Sequence, residues 1–404
     1  MNNFRLLPAI GMAVLCSAAA QAQVTLDGGI IVAPGPKFNI DRFEENIRTA
    51  VEGKAVGFSY AISQNGQLKK LGQWGWARTD VDVPAELFGD GGMPQDARKR
   101  MNIASISKPI TAATVHRILQ DKMVAGYPNL GLNSRVAPFL PKSWAKGAGV
   151  ANLRIGELLS QYSGMQDNDG KTATDDLKDW IAAGVTRPKD DYIYINANIA
   201  IFRIVIPYLV SDQFGRGQLD ALAQADEAEF SSTCAALYKQ TVRSLILAPM
   251  GIYGAEMKST DPAPTLLYSS DPNEKGVKTG DWSEVGAGGG WYLSALEIAR
   301  FLAHLRYNDT ILKPETRQKM NDLTDCPGPD CRLMGWQNPV EGEHGLYYYH
   351  SGSLTYGEFP KSGMRGVAMN FPNGTQAVLL VNSIGSYQSV TTLMRVAFDN
   401  AWEE

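Results

Sequence analysis

The sequence predicts an α/β (α+β) fold: an antiparallel sheet flanked by N- and C-terminal helices, with a mostly helical lobe inserted between its parts. Three observations point there. Strand signals gather near the start and again in the final third of the chain. The middle, to about residue 252, runs in helical periods. A helical pattern borders each group of strands. The 404 residues, 44% hydrophobic and 20% charged, suit one large domain or two lobes sharing an interface. The expected boundaries are a leader over 1–22, the first part of the α/β lobe over 23–104, the helical lobe over 105–275 and the second α/β part over 276–404.

Met1 to Arg5 carries one positive charge, Leu6 to Ala20 carries none, and Ala20-Gln21-Ala22 offers small residues spaced by one. That is the pattern of a secretory signal peptide cleaved before Gln23. The apolar stretch is shorter than the roughly 20 residues of a membrane span, and Leu15 before Cys16 is too bulky for a lipidation site. A periplasmic or secreted protein without stable membrane insertion is expected, since the later apolar run Ile199–Val210 is broken by Arg203 and Pro207.

Phe38–Val51 has a helical pattern, with Ile40, Phe43, Ile47 and Ala50 toward one side. Ala55–Ser63 and Leu68–Trp76 read as strands joined at Gln64-Asn65-Gly66-Gln67, because Asn-Gly accepts the positive dihedrals of a tight hairpin turn. Val81–Arg100 reads as an irregular surface stretch. A helix follows from Ser105 to about Asp121, with Pro109 tolerated only near its start. Leu153–Leu159 is a short helix stopping at Ser163-Gly164, and Asp175–Ala183, Ala197–Leu209 and Cys234–Leu247 continue the helical middle. After Gly286-Ala287-Gly288-Gly289-Gly290, Ser294 caps a helix through Leu305. Tyr347–Tyr349, Gly366–Asn370 and Gln376–Asn382 are strands, the last two joined at Pro372-Asn373-Gly374, and Ser389–Trp402 is a closing helix.

Lys and Arg number 38 against 42 Asp and Glu, a net charge of −4, which excludes the basic balance of a nucleic-acid binder. Four histidines and dispersed cysteines argue against a zinc site. In an oxidising compartment Cys326 and Cys331, flanking Pro-Gly-Pro-Asp, can pair as a stabilising clip, leaving Cys234 as a buried apolar residue.

Ala104-Ser105-Ile106-Ser107-Lys108-Pro109 carries the chemistry. Residues three apart on a helix share a face, so the Lys108 amine can reach the Ser105 hydroxyl. A serine is a weak nucleophile without a base, and a lysine serves as one only when burial or nearby positive charge lowers its pKa from roughly 10. Alone, Ser-x-x-Lys equally fits a capping serine and a solvated lysine; its company decides. Tyr194-Ile195-Asn196 precedes an apolar helix: the Tyr194 phenol can pass a proton to a leaving group, and Asn196 can hold lysine and substrate. Tyr192 is the rival tyrosine, without an asparagine two residues on. His350-Ser351-Gly352 ends a strand signal. Gly352 would admit substrate close to the backbone, the amides of Ser353 and Ser105 would form an oxyanion hole, and His350 would aid protonation or bind an anionic group.

These three segments in this order resemble the serine beta-lactamase and penicillin-binding-protein superfamily, closest to the class C group with its D-alanyl-D-alanine carboxypeptidase, D-aminopeptidase and esterase relatives. Leu153-Arg154-Ile155-Gly156-Glu157-Leu158-Leu159 with Ser163-Gly164-Met165, and Ala287-Gly288-Gly289, are similar to further family landmarks, so the likeness runs from about residue 40 onward. It implies a beta-lactamase/transpeptidase-like fold, Ser105 as acylated nucleophile, Lys108 as base, Tyr194 as general acid or base, Asn196 as positioning group, and His350-Ser351-Gly352 as the strand facing them, with no cofactor. True class C beta-lactamases carry Lys-Thr-Gly on that strand; His-Ser-Gly is more like the carboxypeptidase, D-aminopeptidase and esterase branches. The 83–100 stretch is longer than the family's usual approach to the nucleophile, as a cleft rim or an idle insertion. The expectation is a monomeric serine hydrolase of small esters, D-amino-acid amides or peptides, or cell-wall peptides. The alternatives are a beta-lactamase and a catalytically silent sensor or binding protein.

Overall fold

The computed structural model describes residues 23–26, 29–32, 36–83, 92–321, 333–358 and 361–403. The expected leader, the Cys326–Cys331 pair and residues 84–91 of the expected surface stretch lie outside them. A short hairpin, β1 (Gln23–Leu26) with β2 (Gly29–Val32), is followed by β3 (Lys37–Phe38). The helix Ile40–Val51 starts where the Asn39 side chain accepts from the amides of Asp41 and Arg42 at 3.0 and 2.9 Å, and its four-residue spacing buries Phe43, Ile47 and Val51. β4 (Gly57–Gln64) and β5 (Gln67–Arg78) form the expected hairpin, with φ of 52° at Asn65 and 77° at Gly66. β6 (Met93–Pro94) borders β5, and β7 (Met101–Asn102) leads to the helical lobe.

That lobe is built around the helix Lys108–Gln120, with Ile155–Leu159, Thr174–Ala183, Asn196–Ala200, Phe202–Val210, Gln213–Ala225 and Glu227–Val242. The apolar run expected as one helix over Ala197–Leu209 bends at Ile201, but bonding runs on through it: its amide reaches the Ala197 carbonyl and its carbonyl accepts from Val205, both at 3.0 Å. The helix expected over Cys234–Leu247 starts earlier, at Glu227, because Asp226 caps it by accepting from the Glu229 amide at 3.0 Å.

β8 (Tyr292–Leu293) pairs back onto β7. Ser294 and Glu297 then cap Ala295–Tyr307 reciprocally. The chain ends through β9 (Val340–Gly342), β10 (Gly345–Tyr356), β11 (Ser362–Asn370), β12 (Thr375–Val381), the helix Val390–Asp399, and β13 (Trp402–Glu403), which pairs with β3. The closing helix is shorter than expected because Trp402 joins this ladder instead.

The main sheet has the order β6-β5-β4-β12-β11-β10-β9, antiparallel throughout, so its N- and C-terminal halves meet at β4 and β12. Period-two alternation gives each face its own core. On β12, Ala377, Leu379 and Val381 pack against Phe43, Ile47 and Phe398 of the terminal helices. Val378 and Leu380 face the helix Ala295–Tyr307 and the helical lobe. The same parity along β10 puts Tyr347 on the first face and Tyr348 and Leu354 on the second. His350 and Gly352 therefore look toward the lobe, which places the site between lobe and sheet. Among the described residues, no helix is long and apolar enough to cross a membrane.

Candidate active site

Two short elements fix Ser105. The Ile103 amide bonds the Trp291 carbonyl at 2.9 Å, extending the β7–β8 pair, and the Trp291 amide donates to Ser107 Oγ at 3.2 Å. Ala104 then takes φ +48°, a left-handed conformation costly for a residue with a Cβ, held while its amide donates to Asn102 Oδ1 at 2.9 Å. The expected helix from Ser105 is instead a 3₁₀ turn over Ala104–Ser107 running into the α-helix at Lys108. Pro109 sits in the first helical turn, where its missing N–H leaves no bond unmade. The tighter turn eclipses side chains three apart, which brings Lys108 over Ser105 more directly than an α-helix would.

Lys108 is fully buried, and its Nζ lies 2.8 Å from Ser105 Oγ, 2.8 Å from Asn196 Oδ1 and 2.6 Å from the Gly288 carbonyl oxygen. Burial alone lowers its pKa to about 7. The geometry dictates how a neutral amine would sit. Asn196 Oδ1 and the Gly288 carbonyl can only accept, so they take its two N–H bonds. The remaining lone pair faces the Ser105 hydroxyl.

The Tyr194 ring stands 4.9 Å from Lys108 Nζ, with the Ser105 hydroxyl close to its phenol. Burial raises the phenol to about 12, with the nearby Ser105 hydroxyl pulling the other way, so it stays protonated at neutral pH. The rival Tyr192 packs edge-on against Tyr162 instead. Gln161 holds the Tyr194 segment: its side-chain oxygen accepts from the Ile195 amide at 3.0 Å and from Asn198 Nδ2 at 2.7 Å. His350, buried, has its ring 5.9 Å from that of Tyr194, and Nδ1 lies 2.7 Å from the Ser351 carbonyl, which assigns the proton to Nδ1. Burial first, then Lys108, hold its pKa well below the ordinary value, and the imidazole is neutral.

β10 packs directly on the nucleophile turn. A Cβ at Gly352 would lie 2.6 Å from the Ile103 carbonyl oxygen, a backbone atom that cannot step aside. Along the strand's free edge the Tyr349 carbonyl accepts from the Gln337 amide at 3.0 Å, and the Ser351 amide and hydroxyl both donate to Gln337 Oε1 at 2.9 Å. Alternation puts the Ser353 amide on the same edge. Ser353 lines a cleft of about 150 Å³ together with Ser105 and Asn196. The structure thus gathers Ser105, Lys108, Tyr194, Asn196, His350, Gly352 and Ser353, while Ser351 is turned to Gln337.

The opposite wall is the glycine run. Ala287 has φ +74° and its carbonyl accepts from Thr111 Oγ1 at 2.8 Å, which turns the next carbonyl, that of Gly288, onto Lys108. Fully buried Arg203 ties this wall to its neighbour, donating to the carbonyls of Gly286 at 3.2 Å and Thr172 at 2.9 Å. Gln161, Gln337, Arg203 and the Gly288 carbonyl are contributions that sequence reasoning missed. For Gly288 alone a signal was present, in the run of glycines.

Comparison with known proteins follows the same lines. The Beta-lactamase family model matches residues 43–216. No characterised, curated protein matches the chain in sequence. Among solved structures, the octameric penicillin-binding protein homologue from Pyrococcus abyssi superposes with TM-score 0.61 at 16% identity, over 89% of this chain and 74% of that one. D-amino acid amidase from Ochrobactrum anthropi SV3 superposes with TM-score 0.61 at 17% identity, over 89% and 97%. The beta-lactamase/D-alanine carboxypeptidase from Yersinia pestis gives TM-score 0.60 at 14% identity, over 90% and 96%. At these identities the likeness is one of fold.

Proposed function

The chain has the fold of the beta-lactamase and penicillin-binding-protein superfamily, and we propose that it is a serine hydrolase forming an acyl-enzyme on Ser105 from an ester or a D-amino-acid amide. The observation that carries this is the arrangement around Lys108: a buried amine near neutrality whose N–H bonds have two fixed acceptors and whose lone pair meets the serine hydroxyl at 2.8 Å.

In this reading Ser105 Oγ attacks the substrate carbonyl carbon while Lys108 Nζ accepts the hydroxyl proton. The tetrahedral oxyanion is met by the amides of Ser105 and Ser353. Tyr194, a phenol rather than a phenolate, gives its proton to the departing oxygen or nitrogen and is resupplied by the Lys108 ammonium. The alcohol or amine leaves, and the Ser105 ester remains. Water then attacks that ester, its proton passing through Lys108 back to Ser105, and the carboxylic acid leaves. The sum is one substrate and one water giving an acid and an alcohol or amine. With Tyr194 near 12 and Lys108 near 7, the lysine is the base and the tyrosine the acid. His350, neutral and tied to the Ser351 carbonyl, orients the pocket rather than supplying a charge.

Ser105→Ala is expected to abolish whichever hydrolysis of p-nitrophenyl esters and D-amino-acid anilides the parent shows, while leaving the circular-dichroism spectrum and melting temperature near those of the parent. Mass spectrometry of the parent should find the acyl group on the peptide containing Ser105. Undiminished turnover by the variant would refute the assignment.

A further inference from the structure

The walls of the cleft carry information about the acyl group that the nucleophile does not. Among the described residues lining it are Ala104, Thr172, Trp282, Val285, Leu354 and the glycines 170, 288 and 289, and none bears a charge. Three cations or bases behind those walls already hold protein acceptors. Lys108 has its three partners. Arg203 is fully buried behind the wall, with its guanidinium on the carbonyls of Gly286 and Thr172. The His350 imidazole leans on the Ser351 carbonyl. Among the described residues lining the cleft, a carboxylate on the acyl portion finds no cation and an α-ammonium finds no carboxylate. A charge drawn into such a site loses its water and gains no partner.

Length is limited as well. The absence of side chains at 289 and 290 lets Trp282 close the cleft. A Cβ at Gly289 would lie 3.4 Å from Cζ3 of the indole and 3.6 Å from the Ala104 carbonyl carbon, and one at Gly290 would overlap Trp282 Cβ at 2.6 Å. The indole therefore stands one small residue away from the nucleophile turn. An apolar cavity of about 150 Å³ takes up a benzene molecule, so a cleft of about 150 Å³ suits a group of that size, and a butyryl group with its carbonyl oxygen is close to it. Neutral polar recognition is available too: Asn196 Nδ2, which would lie 3.3 Å from a Cβ at Gly170, faces this space.

We propose that the cleft selects a short, uncharged acyl group of up to about four carbons, so that neutral short-chain esters are the substrates and acyl groups bearing a carboxylate or an α-ammonium are rejected. This rests on Ser105 being the acylated residue, and it narrows the proposed function to its ester arm, because a free D-aminoacyl group carries an α-ammonium.

The test uses one leaving group throughout: p-nitrophenyl butyrate, octanoate, monoglutarate (an added carboxylate) and 2-aminobutyrate (an added α-ammonium). Butyrate is expected to exceed both charged esters on the order of 10²-fold in kcat/KM, and to exceed octanoate by about tenfold or more. Trp282→Ala should raise the octanoate-to-butyrate ratio about tenfold. Val285→Lys, at a partly exposed wall position that keeps the indole in place, should raise monoglutarate relative to butyrate by about tenfold. Equal or faster turnover of a charged ester, or ratios unmoved by both variants, overturns the proposal. Acyl adducts on Ser105 from the charged esters would sink the selectivity alone and leave the nucleophile standing. Adducts on none of the four would remove the nucleophile, and this inference with it.

Discussion

Lys108 has two measurable consequences at the scale of a single residue. Its amine must be neutral to accept the Ser105 proton, so kcat/KM for a neutral ester should rise with pH along a limb centred near 7. Lys108→Ala should cut the acylation rate on the order of 10³-fold, and Lys108→Arg should do no better, since a guanidinium stays protonated. A near-normal acylation rate in either variant would remove lysine from the base role. The second consequence concerns stability. The folded pKa is depressed below that of the unfolded chain, so between pH 7 and 9 the unfolded state binds more protons and this group's contribution to stability grows with pH. The limiting slope is about 1.4 kcal/mol per pH unit. Lys108→Met lacks this slope, and the parent should gain on it steadily in chemical denaturation from pH 7 to 9. A constant difference would place the folded-state pKa well above neutrality, close to that of the unfolded chain. This measurement reads burial without reference to turnover.

At the scale of elements, catalysis depends on β10 lying flush against the 3₁₀ turn that holds Ser105. Gly352→Ala puts a methyl 2.6 Å from the Ile103 carbonyl oxygen, and one of two backbones must move. The expected outcome is a loss of about 1–3 kcal/mol in stability together with a fall in kcat of tenfold or more, because the Ser353 amide moves away from the oxyanion. A variant with parental kcat would show that the strand does not set the oxyanion geometry. Legibility in the sequence divides along the same line between local and distant. The hairpin at Asn65-Gly66, the Ser294 cap and the strands β11 and β12 on either side of Pro372-Asn373-Gly374 are written in neighbouring residues; each is found where it was expected, although β11 begins earlier, at Ser362. Ser105, Lys108, Tyr194 and Asn196 were legible as motifs because their spacing is itself local. Gln161 and Gln337 were not: each acts on a segment far away in sequence or across a loop, through one amide oxygen, and nothing beside them announces it. The 3₁₀ start of the nucleophile helix was hidden for a related reason, since the φ of Ala104 is imposed by β8 and β10 rather than by its own propensity.

For the molecule as a whole, the sheet separates two cores with different duties. The lobe-facing core carries the nucleophile helix, the Ile195–Val210 segment and the glycine run. The outer core is an aromatic cluster that joins the chain's two ends: Phe398 stacks on Phe371 with centroids 3.9 Å apart and planes at 8°, and meets Phe38, Tyr347, Phe43 and Trp402 within 5.8 Å. β3 and β13 close over it. Phe398→Ala should therefore cost about 3–5 kcal/mol, read as a lowered denaturation midpoint. The enzyme that remains folded well below its new melting temperature should keep its kcat/KM, because every side chain lost from contact lies on the sheet face away from Ser105. A proportional fall in acylation rate at a temperature where the variant is fully folded would show that strain in the outer core reaches the cleft through the strands, and the two faces would then have to be treated as one cooperative unit.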